Sequence, residues 1–201
     1  MLASLALATL SFSGPAVRAP AQSRSVVRMA EFSESVPFLI KADKLGKGMT
    51  GDVGFDPLYL SETMDLKWLR EAELKHGRVA MLGVVGILVQ SVIQIGGPYY
   101  SESNPIAAPA NVPPEAWAQI ILACGAFEFV SNKGKMTMAD MFSDSSRVPG
   151  NLGFDPMNMG KDASKRSTLE LQELKNGRLA MLGFAGLLHQ FFITDSLALK
   201  F

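Results

Sequence analysis

Glu73–Gln90 reads ELKHGRVAMLGVVGILVQ, and Glu173–Gln190 reads ELKNGRLAMLGFAGLLHQ. Twelve of the eighteen positions are identical at an offset of 100 residues. Upstream, GDVGFDP (Gly51–Pro57) is echoed by GNLGFDP (Gly150–Pro156) at an offset of 99. Two like helices, each entered through a like loop, predict a pseudo-twofold pair packed across one another, with the functional site at the shared interface. Ala80, Gly83 and Gly86 recur every three residues, as do Ala180, Gly183 and Gly186. Such small-residue stripes predict close approach of the two backbones, or at least a generic packing face.

Outside the repeat, the pattern is that of a membrane protein. The 201-residue chain is 48% hydrophobic, with mean hydropathy +0.18. Three apolar runs, Val79–Ile95, Trp117–Val130 and Leu179–Ile193, extend backward through polar starts into helices of approximately 62–95, 114–131 and 166–193. The first and third, at roughly 22–25 residues of usable length, suffice for a bilayer core of about 30 Å. The middle one is short, and Pro113, Pro114 and Glu115 mark its start. The expected fold is an all-α membrane protein of three transmembrane helices, the first and third a crossed pseudo-twofold pair. The competing reading is a soluble protein with three core helices.

Charge sets the orientation. The loop 96–115 has no Lys or Arg, whereas 133–166 holds Lys133, Lys135, Arg147, Lys161, Lys165 and Arg166, and segment 41–47 holds Lys41, Lys44 and Lys47. The positive-inside rule puts the mature N-terminus and the second loop on one side, and the first loop and C-terminus on the other. Residues 1–30 contain no Asp or Glu and carry Arg18, Arg24 and Arg28 behind an apolar start, Met1 to Phe12. This composition predicts an organelle targeting leader, the alternative being a disordered tail, and the combination resembles the two-part plastid targeting leaders of algae. The fold is accordingly assigned to residues 31–201. Nineteen basic residues balance nineteen acidic ones without a basic stripe, which leaves a nucleic-acid partner no footprint. The single cysteine, Cys124, has no partner for an internal disulfide and reads as a small apolar residue.

Each repeat carries Glu at i, His or Asn at i+3 and Arg at i+5: Glu73, His76 and Arg78, then Glu173, Asn176 and Arg178. A charge within a bilayer costs about 2.5–3.5 kcal/mol on insertion scales, so these four charges need partners. In a twofold pair, Glu73 reaches Arg178 while Glu173 reaches Arg78. A carboxylate so neutralised keeps lone pairs that can ligate magnesium axially, and Mg²⁺ prefers oxygen donors. Glu and His three apart share a helix face. Gln90 and Gln190 lie fourteen residues beyond His76 and Asn176. Fourteen steps return to within about 40° of that face, roughly 21 Å further along. Each long helix can therefore hold flat macrocycles near both leaflets. A di-iron bundle, the other home of E-x-x-H, is disfavoured because Asn176 replaces the second histidine and the arginines repel metal ions.

ELKHGRVAML and ELKNGRLAML resemble the two signature helices of the light-harvesting chlorophyll-binding family, and the GFDP loops resemble that family too. By that resemblance, Glu73, His76, Glu173, Asn176 and Gln190 match central chlorophyll ligands through magnesium, and Arg78 and Arg178 match the interhelical pair partners that complete those chlorophyll sites. Gln119 matches a ligand position of the chlorophyll a/c branch. Glu128 is a weaker candidate ligand, and Gln90 extends the repeat symmetry as a further one. His189 reads as an interfacial polar residue or an extra ligand. Carotenoid end groups in the family meet the loops that here hold Asp56 and Asp155. The alternative for Asp56-Pro57 and Asp155-Pro156 is turn or helix-entry chemistry with proline at the first helical position. The chain ends eight residues after Ile193, which implies that the fourth, amphipathic helix of plant members is missing or truncated.

The short loops, KGKMTMADMF (Lys133–Phe142) and the leader resemble red-lineage algal, fucoxanthin chlorophyll a/c antennae. The resemblance implies chlorophyll a, chlorophyll c and fucoxanthin-like carotenoids as cofactors. Its implied partners are other antenna subunits, a photosystem core and thylakoid lipids. It implies a multi-pass thylakoid location, N-terminus stromal and C-terminus lumenal, and light harvesting rather than enzymatic chemistry. A photoprotective quencher of the same fold and a pigment-free membrane scaffold are the rival expectations.

Overall fold

The computed structural model describes residues 32–45, 48–93, 96–97, 99, 101–144, 147–153, 155–156, 158–160 and 162–194. The leader assigned to residues 1–30 lies outside them, as do Lys47, Lys161 and the end of the first expected helix, residues 94–95. The elements, in chain order, are α1 (Leu60–Thr63), α2 (Leu66–Val92), α3 (Ala108–Asn111), α4 (Pro114–Ser131), α5 (Met138–Met141) and α6 (Ala163–Thr194). Among the described residues a single isolated bridge, Phe32 to Ile40, is the only β pairing.

The first expected helix is broken near its start. Met64 is extended, and Asp65 begins α2 afresh by accepting the Lys67 N–H at 3.1 Å. An aspartate there satisfies one of the orphan donors of a new helix, so the chain restarts rather than running on from Glu62. Pro57 likewise is not a first helical residue, since α1 opens at Leu60. In α4, Pro113 is the N-cap and Pro114 the first helical residue, where a missing N–H costs nothing.

α2 and α6, of 27 and 32 residues, extend roughly 40 and 48 Å and are the elements that pack broadly on each other. Their closest approach is at Gly77 and Gly177. A Cβ built on Gly77 would lie 3.1 Å from Gly177 Cα, and the converse distance is also 3.1 Å. This shifts the crossing from the expected stripe. Only Gly83 of its glycines meets the other helix, against the Phe184 ring, whereas Gly86, Gly183 and Gly186 have open space on their Cβ side. Two rods crossing at an angle touch at one place and diverge on both sides of it.

Most large apolar side chains face outward. Val79, Leu82, Val92, Leu179, Leu182 and Phe192 are each at least 69% exposed, and α4 buries no residue at all. No helix among the described residues is long and apolar enough to cross a membrane. The reason is local: the first half of α2 carries Lys67, Arg70, Glu71, Glu73, Lys75 and Arg78, so hydropathy averaged along the helix is low even where its second half is apolar.

Candidate functional site

The entry loops of α2 and α6 share several turns among the described residues. Gly51 and Gly150 both have positive φ, 72° and 77°, as do Tyr59 and Asn158, both 52°. Asp52 Oδ1 accepts the Gly54 N–H at 2.9 Å, and Asn151 Oδ1 accepts the Gly153 N–H at 3.0 Å. Asp56 accepts the N–H groups of Leu60 and Ser61 at 3.0 and 2.9 Å, while Asp155 accepts those of Met159 and Gly160 at 3.2 and 2.9 Å. Both aspartates thus organise turns. Burial pushes the Asp56 carboxyl up, but donors from Ser61, Leu60 and Tyr59 outweigh it and hold its pKa below the usual aspartate value.

At the crossing, each arginine reaches into the opposite half. Arg78 Nε donates to Glu173 Oε1 at 2.6 Å, and Arg78 Nη2 donates to the Gly150 carbonyl at 2.9 Å. Arg178 Nε donates to Glu73 Oε1 at 2.7 Å, and Arg178 Nη1 donates to the Gly51 carbonyl at 3.0 Å. One guanidinium therefore ties a helix, its crossing partner and the partner's entry loop. The symmetry is incomplete. Glu73 Oε2 also accepts from Arg70 Nη1 at 2.9 Å, and Arg70 holds the Thr50 carbonyl as well. The equivalent position in the second half is Glu170, which pairs with Arg166 instead.

The candidate donors stand singly on outward faces. His76 is exposed, and its Nδ1 lies 2.7 Å from the Ala72 carbonyl oxygen. A carbonyl only accepts, so Nδ1 carries the proton in neutral imidazole and Nε2 presents its lone pair outward. Asn176 and Gln119 are exposed and have no side-chain hydrogen bond among the described residues. Gln90 donates its amide to the Glu102 carbonyl at 2.6 Å, and Gln190 donates its amide to Thr194 Oγ1 at 3.1 Å. Each glutamine thereby keeps its side-chain oxygen open. His189 is exposed. Glu128 differs: its Oε2 is engaged by Lys75 at 2.5 Å and by Asn132 at 3.0 Å.

Among the described residues no three His, Cys, Asp or Glu side chains converge to hold a bare metal ion. Isolated donors suit a magnesium ion whose other ligands come from a macrocycle, and oxygen and imidazole donors are what that ion accepts. Two clefts flank the crossing. One, of about 540 Å³, is lined by Leu74, Arg78, Gly150, Asp155 and Glu173. The other, of about 450 Å³, is lined by Leu45, Asp56, Leu69, Glu73 and Arg178.

Several functional side chains escaped the sequence reading: Arg70 at Glu73, and the cluster Glu71, Lys75, Asn132 and Arg147. The available signal for Glu71 was its break with the repeat, where position 171 is Leu.

Two helices with matching signature segments are thus locked by exchanged ion pairs, with single donors turned outward beside two clefts. The model of the chlorophyll A-B binding protein family matches residues 41–192, and the chain belongs to that family. It is a light-harvesting pigment protein, not an enzyme. A fucoxanthin-chlorophyll a-c binding protein, chloroplastic, of Chattonella marina var. antiqua is 36% identical over 94% of this chain and 88% of its own length. Chlorophyll a-b binding protein 4, chloroplastic, of Arabidopsis thaliana is 32% identical over 92% and 77% respectively. Photosystem I chlorophyll a/b-binding protein 5, chloroplastic, of the same plant is 32% identical over 80% and 70%.

Proposed function

We propose that this chain is a multi-pass antenna of the plastid thylakoid, binding chlorophyll a, chlorophyll c and fucoxanthin-like carotenoids and serving a photosystem core among other antenna subunits and thylakoid lipids. α2, α4 and α6 cross the membrane, with the mature N-terminus stromal and the C-terminus lumenal. The outward apolar side chains of all three helices favour lipid or pigment as their surroundings. Four of the charges that lower the hydropathy of α2 and α6, Glu73, Arg78, Glu173 and Arg178, form pairs at the crossing, which reduces the cost of burying them.

The observation that carries the pigment reading is the state of His76. Its Nδ1 is committed to the Ala72 carbonyl and its Nε2 is free on an exposed face, the arrangement of an axial ligand held in one tautomer. Bound chlorophyll supplies light absorption and excitation transfer. The protein's own residues supply place, orientation and a low-dielectric surround. His76 Nε2, the open Oε2 of Glu173, and the amide oxygens of Asn176 and Gln190 would each hold a magnesium. Glu73, with one lone pair on each oxygen already engaged by arginine, would use a remaining one. Arg78 and Arg178 keep those carboxylates neutralised and oriented. Gln119 on α4 and Gln90 on α2 complete the set, and Glu128 enters it with one oxygen committed. The clefts at Asp56 and Asp155 suit carotenoid end groups, with the two aspartates shaping the loops around them.

The chromophore reading is tested by isolating the native protein from its membrane and extracting its pigments. Chlorophylls a and c with a fucoxanthin-type carotenoid, and chlorophyll fluorescence excited through the carotenoid, are expected. A colourless protein with intact helices would refute it.

A further inference from the structure

Among the described residues α4 makes no broad packing contact with α2 or α6, yet it is tied to one half of the crossed pair. Lys75 on α2 donates to Glu128 on α4 at 2.5 Å and lies 3.6 Å from Glu71. Glu128 also accepts from Asn132 at 3.0 Å. Asn132, 2% exposed, accepts from Arg147 at 2.6 Å. Arg147 lies 3.9 Å from Glu71 Oε1, and Glu71 Oε2 accepts the Gly150 N–H at 2.5 Å. Glu71 is 3% exposed. Two anions and two cations close a neutral ring joining α2, the end of α4 and the loop that enters α6. Among the described residues the polar bonds between α4 and α2 all run through this ring.

The repeat makes the ring informative. α2 and α6 present near-identical helices, so a third apolar helix has two similar places to dock. Position 71 is Glu in the first half and Leu171 in the second, although Lys75 and Lys175 are both present. Leu171 and Leu174 fill the space beside Gly51, where the first half has Glu71 and Leu74 beside Gly150. Lys175 has no side-chain partner among the described residues. A part-buried polar network contributes little net stability, and its best attested role is to select one register among several. We propose that Glu71, Lys75 and Arg147 are positioning residues: through Glu128 and Asn132 they dock α4 against the His76 half of the pair and set the spacing between ligands on α4 and on α2. In this assignment Glu128 is a tether before it is a magnesium ligand. The spacing of pigments rests on the antenna reading, whereas the docking itself does not.

The chain's one cysteine provides the probe, since Cys124 is exposed on α4. Spin labels at Cys124 and at Val85→Cys on α2, in the purified native-like protein, report the distance between the two helices. A single narrow distribution is expected for this pair. With Lys75→Met it should at least double in width or split into two distances, and Lys75→Arg, which keeps a cation between Glu71 and Glu128, should keep the narrow one. Transfer of excitation from the Gln119 pigment should slow at least twofold in Lys75→Met and stay within that range of wild type in Lys75→Arg. If Lys75→Met yields no folded protein, Arg147→Gln is measured in the same way and should broaden the distribution. An unchanged distribution in either folded variant overturns the proposal. A broadened distribution in a protein that carries no pigment supports the docking and refutes the antenna reading instead.

Discussion

Substituting Gly77 by alanine places a methyl group 3.1 Å from Gly177 Cα, 3.5 Å from its carbonyl carbon and 3.8 Å from its carbonyl oxygen. Carbon atoms prefer about 3.5–4.0 Å, so the crossing must open by about 0.5 Å. The obstacle is backbone, which has no rotamer with which to move aside. Overpacking of this size costs about 1–3 kcal/mol, and exchanging glycine for alanine within a helix returns about 1 kcal/mol. A net destabilisation of about 0–2 kcal/mol follows for Gly77→Ala, and the same for Gly177→Ala. The two changes press on one contact. Once either opens the gap, the other methyl has more room, so the double variant should lose about 0.5–1.5 kcal/mol less than the sum of the singles. The same opening stretches the flanking Arg78–Glu173 and Arg178–Glu73 bonds from 2.6 and 2.7 Å toward the edge of hydrogen-bond range. The assay is thermal loss of pigment circular dichroism in the wild-type, single and double proteins. Additive effects, or a gain in stability in both singles, would refute a crossing point at these two glycines.

His76→Leu should remove one chlorophyll per chain, counted by pigment-to-protein ratio, and change the stability of the pigment-free protein by no more than about 0.5 kcal/mol because the side chain is exposed; an unchanged pigment count would remove His76 from the ligand set. Asp56 is expected to make the entry loop of α2 acid-sensitive. Its folded pKa lies below the unfolded value, so its contribution is complete above the unfolded value near 3.9 and is lost as pH falls through the folded one. Two backbone hydrogen bonds to a carboxylate suggest about 1–3 kcal/mol of local stability. Amide exchange at Leu60 and Ser61 should accelerate across that window in the wild-type protein and show no such step in Asp56→Asn.

The crossed pair was legible because its reasons are carried twice in the chain. Glu73 and Arg178 occupy the roles of Glu173 and Arg78, and charges at the mouths of apolar helices have few other means of neutralisation. The exact point of contact was not legible. Gly77 and Gly177 are single positions identical in both copies, outranked by the longer stripe at Ala80, Gly83 and Gly86. Choosing between them requires the crossing angle, which periodicity does not encode. The docking of α4 was illegible for another reason. Glu71, Lys75, Glu128, Asn132 and Arg147 span 77 positions in three separate segments, and Glu71 with Lys75, or Glu128 with Asn132, alone reads as an ordinary i,i+4 surface pair. The break before α2 hung on one residue, Asp65, whose capping role competes with continued helix only when Met64 is extended.

What distinguishes the two halves is therefore concentrated around the first carboxylate. Glu73 accepts from two arginines and Glu173 from one, since position 70 is Arg and position 170 is Glu. Glu73 with Arg70 and Arg178 sums to one positive charge, and Glu173 with Arg78 sums to none. His76 and Asn176 then offer an imidazole nitrogen on one side and an amide oxygen on the other. Among the described residues the tether of α4 lies beside His76, through Lys75. Two identical pigments in identical settings have identical excitation energies and give transfer no direction. In the proposed ligand set, different donors, a different local charge and a third helix on one side would each remove that degeneracy. The repeat builds a rigid, self-neutralising frame, and the substitutions that break it make the two faces of the frame unequal for the ligands they carry.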